Sequence, residues 1–161
     1  MADIQFKLTG LEAVTKRLQA LPVELRKKPA RSALGKAATL VRGQAQTNAI
    51  WLDDKETGRK ISDNIIQRFR SRYSKRPGDV MISVGVGTEK GPIPKGNPDE
   101  GAKGNTPHWH LLELGHMVKG GGMVAPQPFL RPAAEQQASA AIALFGTELD
   151  KAIDRLVKKM K

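Results

Sequence analysis

The stretch Ala125-Pro126-Gln127-Pro128-Phe129-Leu130-Arg131-Pro132-Ala133 decides how the rest of the chain is read. Its three prolines fix backbone angles and remove three amide donors, which makes a rigid approach to the next element. That element reads as a helix. Ala138, Ala141, Ile142, Phe145, Leu149, Ala152, Ile153, Leu156 and Met160 share one face at helical spacing, and Pro132 suits a first helical position. From 132 to 160 such a helix extends about 43 Å at 1.5 Å per residue, longer than a small domain needs to cover one sheet, so part of it is available to a neighbouring subunit. Phe129 and Leu130 are expected to anchor the corner in the core.

Outward from this corner the periodicities alternate. Ile4, Phe6 and Leu8 share one side of an expected strand over 3–8, and Thr9-Gly10 ends it. Leu11, Val14, Leu18 and Leu21 predict a short amphipathic helix that stops at Pro22. A second helical pattern runs from Val23 to about Ile50 with a small-residue stripe at Ala30, Ala33, Ala37, Ala38 and Ala45; Pro29 should kink it or mark its first turn. After a polar connection at 53–60, Ile61 and Ile65 give a helical turn, and 65–73 reads as a strand with Arg68, Arg70 and Arg72 on one face. A turn at 74–79 leads to Val80, Ile82, Val84 and Val86, completing a β-hairpin. Residues 88–107 form a Gly- and Pro-rich loop, 108–115 a short strand or helical turn, and Gly120-Gly121-Gly122 a break. The expectation is a single α+β domain over 1–161, with a small antiparallel sheet of about four strands flanked by helices and a long C-terminal helix.

Composition limits the chemistry. The 161 residues carry 27 Lys and Arg against 16 Asp and Glu, a formal charge of +11, with the excess in the first half: +6 over 1–52 and +4 over 53–76. That balance favours an anionic partner or acidic neighbours in an assembly. The absence of Cys excludes a disulfide scaffold, thiolate metal sites and cysteine nucleophiles. No apolar run approaches the roughly 18 to 20 residues of a membrane span, and Asp3, Lys7 and Glu12 lie where a signal peptide needs apolar residues, so neither a membrane protein nor an exported one is expected. Seven aromatic residues offer little for stacking along unpaired bases.

Catalytic motifs are lacking. His108, His110, Glu113 and His116 cannot converge on one strand or helix face, so they read as a structural or interface cluster rather than a metal site. Gly85-Val86-Gly87 precedes a Pro-rich segment instead of a helix, which fits a hairpin edge and not a dinucleotide loop. No nucleophile elbow, phosphate loop or zinc-protease motif occurs, and no catalytic residue, metal, cofactor or small-molecule substrate is assigned. The strongest chemical signal is the run Arg68, Arg70, Arg72, Lys75 and Arg76, a narrow basic strip able to meet phosphates or an acidic protein; charge protecting a strand edge accounts for it equally. Arg26-Lys27-Lys28 and Arg31 read as an exposed helical turn or a contact for an acidic neighbour.

Two stretches together resemble the tail-completion, or head-to-tail joining, proteins of lambdoid long-tailed bacteriophages. The first is Thr57-Gly58-Arg59-Lys60-Ile61-Ser62-Asp63-Asn64-Ile65. The second is His110-Leu111-Leu112-Glu113-Leu114-Gly115 followed by Pro128-Phe129-Leu130-Arg131-Pro132-Ala133. Thr57, Gly58, Ile65, Leu112, Glu113, Gly115, Pro128, Phe129, Arg131 and Pro132 are the motif positions. Lys60-Ile61 and Asn64 depart from the family pattern, and the 88–107 loop is longer. The resemblance implies a non-enzymatic virion protein of the tail or neck, assembled in the bacterial cytoplasm, forming a homo-oligomeric ring among other neck and tail proteins near the genomic DNA. A tail terminator and a sequence-independent nucleic-acid-binding protein are the alternatives, with a metallohydrolase on the histidine cluster a remote third. Glu113 before Gly115 suggests a carboxylate held at a turn and paired with Arg131, simple exposure being the other reading. If Phe129 is a core anchor, Phe129→Ala lowers stability by about 3–5 kcal/mol in a denaturant titration; an unchanged midpoint removes it from the core.

Overall fold

Each long apolar periodicity becomes a helix in the computed structural model, which describes residues 11–55, 58–76, 79–87 and 106–160. In chain order these residues form α1 (Leu11–Gln19), α2 (Val23–Ala49), a 3-10 turn at Ile50–Leu52, α3 (Ile61–Asn64) and β1 (Ile65–Phe69). A second 3-10 turn at Ser71–Tyr73, β2 (Ile82–Val86), α4 (Trp109–Leu114), β3 (His116–Met117), β4 (Met123–Val124) and α5 (Leu130–Met160) complete them. The fold is α+β with a long C-terminal helix, as expected. Among the described residues, β1 pairs with β2 and β3 with β4, giving two small antiparallel sheets. The strand expected at 3–8 and residues 88–105 of the loop lie outside the described residues.

The chain folds as two compact units, and α2, α5 and the β1–β2 pair contribute to both. The first unit comprises Met1–Leu40, Gln67–Ser83 and Gln137–Lys161. Leu21, Ala30, Ala33, Leu149 and Ile153 are buried at its centre, with Val14, Leu18, Phe145 and Leu156 packed around them. Small side chains set the distances between helices here: a Cβ on Gly146 would lie 2.8 Å from the Leu11 side chain, so α1 approaches α5 closely. α2 runs through Pro29, which is buried. Arg26, one turn into α2, donates to the carbonyls of Gln19 and Leu21 at 2.6 and 2.8 Å, satisfying acceptors freed at the end of α1.

β1 is shorter than its sequence suggests. Alternation of Phe69, Ser71 and Tyr73 predicts a strand to 73, yet pairing ends where the Arg70 amide donates to Met81 O at 2.9 Å, and Ser71–Tyr73 is a 3-10 turn. The cause is Ser74, whose side chain is fully buried. Its hydroxyl donates to Arg70 O and accepts from the Met81 amide, each at 3.0 Å, while its carbonyl accepts from Lys27. A side chain that bonds nearby backbone competes with the ladder and closes the connection early. Arg72 therefore leaves the strand face it was expected to share with Arg68 and Arg70.

The second unit comprises Val41–Ile66 and Val84–Gln136. Ala45, Ala49, Ile61, Ile65, Phe129 and Ala133 form its buried core, flanked by Leu52, Val84, Val86, Trp109, Leu112 and Leu130. Asp53 accepts from the Ser62 amide at 3.1 Å and the Ser62 hydroxyl at 2.6 Å, capping α3 from across the 53–60 connection. Asn64 bonds the Thr106 hydroxyl at 3.0 Å with both residues buried, and its carbonyl accepts from the Gly87 amide at 2.8 Å. A Cβ on Gly87 would fall 2.5 Å from Ile66 Cδ1, so this glycine serves close packing at the hairpin end.

Ion pairs link α5 to its partners within the first unit. Arg17 of α1 bridges Asp150 and Asp154, Asp154 acting most strongly to raise the guanidinium pKa further. Glu148, nearly buried, accepts from Lys36 of α2 and from Lys151, and the Lys36 bond foremost holds its carboxyl below the usual range. A lowered folded pKa adds stability that is present at neutral pH and is lost as pH falls through that pKa. The melting temperature should therefore fall on acidification, and Glu148→Gln should flatten the dependence; equal acid slopes for both proteins would contradict this role.

Candidate functional site

α5 starts at Leu130, two residues before the expected Pro132, and its first turn has an unusual cap. A helix leaves its first N–H groups without intrahelical acceptors, and a local Ser, Thr, Asp or Asn commonly supplies one. Here the capping position is Phe129, apolar and fully buried. The acceptor comes from α4: the Glu113 carboxylate takes the amides of Phe129 and Leu130 on Oε2, at 2.8 and 3.0 Å, and of Arg131 on Oε1, at 3.1 Å. The next residue, Pro132, has no amide hydrogen. Every donor of the first turn is thereby accounted for, and the negative charge faces the positive end of the helix dipole. Asn48 of α2 adds a bond to Phe129 O at 3.3 Å.

Gly115 makes this approach feasible. It ends α4 at φ +72°, and a Cβ there would lie 2.7 Å from Val124 O and 3.0 Å from Pro126. Leu112 O accepts the Gln127 amide at 2.7 Å, so the end of α4 is bonded directly to the Pro-rich segment. Glu113 does meet Arg131, as the sequence suggests, but through the backbone amide. Of the remaining motif positions, Ile65 and Phe129 are core residues, Leu112 packs on that core, Pro128 is exposed, and Gly58 adopts φ +70° in the connection before α3. Thr57 lies outside the described residues.

Between Gly115 and the Pro-rich segment the chain makes a hairpin that the sequence shows only as a break. His116 pairs with Val124 and Met117 with Met123, and Gly120, Gly121 and Gly122, all at positive φ, form the turn. This hairpin and the end of α4 expose apolar side chains: Leu114 at 66%, Met117 at 71%, Val118 at 46% and Met123 at 68%. Ile50 and Trp51, on the 3-10 turn after α2, are exposed as well.

The basic residues gather in the first unit. Arg68, Phe69, Arg70, Arg72 and Tyr73 line a cavity of about 370 Å³, with Arg70 Nε donating to Ser83 Oγ at 2.7 Å. Lys75 and Arg76 come next in the chain, exposed and outside that lining. Lys27, Lys28, Arg31, Lys36 and Gln67, with one carboxylate, Glu24, line a larger cavity of about 670 Å³. Arg31 lies over the Phe69 ring, 4.0 Å from its centre, a cation–π contact that joins the α2 cluster to the β1 cluster. Sequence reading singles out both clusters but not Phe69 between them, because an alternating aromatic signals only strand burial.

Among the described residues no three side chains of His, Asp or Glu converge as metal ligands, and no helix is long and apolar enough to cross a membrane. The described residues define an α+β fold with exposed apolar side chains on one unit and clustered cations on the other. A family model described as "Bacteriophage HK97-gp10, putative tail-component" matches residues 12–115, more than half of the chain. The chain belongs to this HK97-gp10-like family and is a phage tail-related structural protein, a class that is non-enzymatic as a rule and resides in the virion with other tail proteins. No curated protein and no solved structure matches it significantly.

The cap makes a quantitative expectation. Glu113→Ala, which removes three charge-assisted acceptor contacts, should cost at least about 2 kcal/mol in a denaturant titration. Glu113→Gln, retaining one acceptor oxygen, should cost less; equal midpoints for all three proteins would refute the cap.

Proposed function

We propose that this chain completes the tail or joins tail to head in the neck of a long-tailed phage, by ring-like association of its subunits and without catalysis. The observation that carries the reading is the apolar hairpin. Met117, Val118 and Met123 stay in water on the hairpin, with Leu114 at the adjoining end of α4 beside the Glu113 cap, within a family of tail components. Clustered exposed apolar residues of this kind mark association surfaces. A head-to-tail contact between two different patches closes into a ring when its rotation allows, and Ile50 with Trp51 offers a second patch on the same unit. Other neck and tail proteins are the further partners.

Electron microscopy of a lysate lacking the protein tests the role: full heads beside tails of normal length are expected. Overlong tails would move the assignment to tail terminator. Met117→Asp with Met123→Asp should leave the isolated protein folded by circular dichroism while abolishing complementation of that lysate. Full complementation would overturn the role of the hairpin.

A further inference from the structure

The net charge is not spread over the molecule. The segments of the first unit contain 18 Lys and Arg against seven Asp and Glu, whereas those of the second contain nine against nine, so the whole excess of +11 belongs to one unit. Three of the seven acids, Glu148, Asp150 and Asp154, are engaged along α5 by Lys36, Lys151 and Arg17. The cations of α2 and of the β1 turn are gathered around Phe69 instead.

We propose that this unit carries a binding surface for the phosphate backbone of duplex DNA, sequence-independent and built by Lys27, Lys28 and Arg31 of α2 with Arg68, Arg70 and Arg72 of β1 and its turn. Three features favour a polyanion over an acidic protein. The cations line two cavities rather than one point, which suits a partner with charge at regular intervals. Phe69, at the junction of the two clusters, is covered by Arg31, and Tyr73, the exposed aromatic of the β1 cavity, carries a hydroxyl that can itself donate to a phosphate oxygen. Guanidinium groups predominate, and two are held in advance, Arg31 on the ring and Arg70 by Ser83, so less order is lost when phosphates are engaged. DNA binding here is independent of ring assembly, because it rests on the charged unit and not on the apolar hairpin.

The test is fluorescence anisotropy of the full chain with two unrelated 30-base-pair duplexes over a salt series. Engagement of about four phosphates predicts a roughly 150-fold loss of affinity from 50 to 200 mM salt, equal for both sequences. Arg68→Gln, Arg70→Gln and Arg72→Gln together should weaken binding at least about tenfold and flatten the salt slope. Lys28→Gln with Arg31→Gln, which leaves the Arg70–Ser83 contact in place, should do the same in part. Lys55→Gln, Lys60→Gln and Lys119→Gln together, all in the neutral unit, should leave affinity within about twofold. Equal weakening by the two triple changes would reduce the effect to net charge and overturn the surface. So would tighter binding of a poly-glutamate peptide than of duplex at equal charge, or no binding of duplex at 50 mM salt.

Discussion

The second unit is organised around one carboxylate. Glu113 accepts the amides of Phe129, Leu130 and Arg131, and Pro132 removes the next donor of that turn. This matters because Phe129 is wholly buried: a helix beginning at an apolar core residue cannot cap itself, and each uncapped buried amide costs about 1–3 kcal/mol. The cap also fixes the path of the chain. Glu113 lies near the end of α4, so α4 must finish beside the first turn of α5, and the chain must leave at Gly115 through a space that admits no Cβ. The hairpin, the Pro-rich segment and the buried Phe129 ring are positioned by that placement.

The two units differ in what they can bind. The second, electrically neutral, exposes apolar side chains on a short hairpin and suits contact with protein. The first holds all of the net charge and pairs few of its cations in the helix-to-helix bridges along α5. Copies of so basic a unit repel one another unless a polyanion or acidic neighbour lies between them. The proposed ring contact therefore suits the neutral unit, and the proposed phosphate surface the charged one.

Much of this fold is legible in the sequence, and the remainder has identifiable causes. α1, α2 and α5 emerge from apolar spacing because a 3.6-residue period survives any tertiary context that buries one face. The end of β1 does not, since it depends on a buried Ser74 hydroxyl bonding two backbone groups across a turn. β3 and β4 are two residues each, too short to show a period. The Glu113 cap leaves only an indirect trace: no Ser, Thr, Asp or Asn occurs in Gln127-Pro128-Phe129-Leu130, so a helix starting there must find its acceptor elsewhere. The carboxylate at a turn is visible in the sequence, but not the three amides sixteen to eighteen residues ahead that it serves.

That cap also bears on how far the family likeness reaches. The match ends at residue 115, two positions past Glu113, while the groups that Glu113 binds lie at 129–131. A carboxylate at the end of α4 has no evident structural purpose without a helix N-terminus to receive it, and Gly115 needs its missing Cβ only because Val124 and Pro126 crowd it. The matched segment thus contains one half of a device whose other half lies beyond the match. Residues 125–133 belong structurally with the matched region, because they supply the amides that Glu113 accepts and the proline that crowds Gly115.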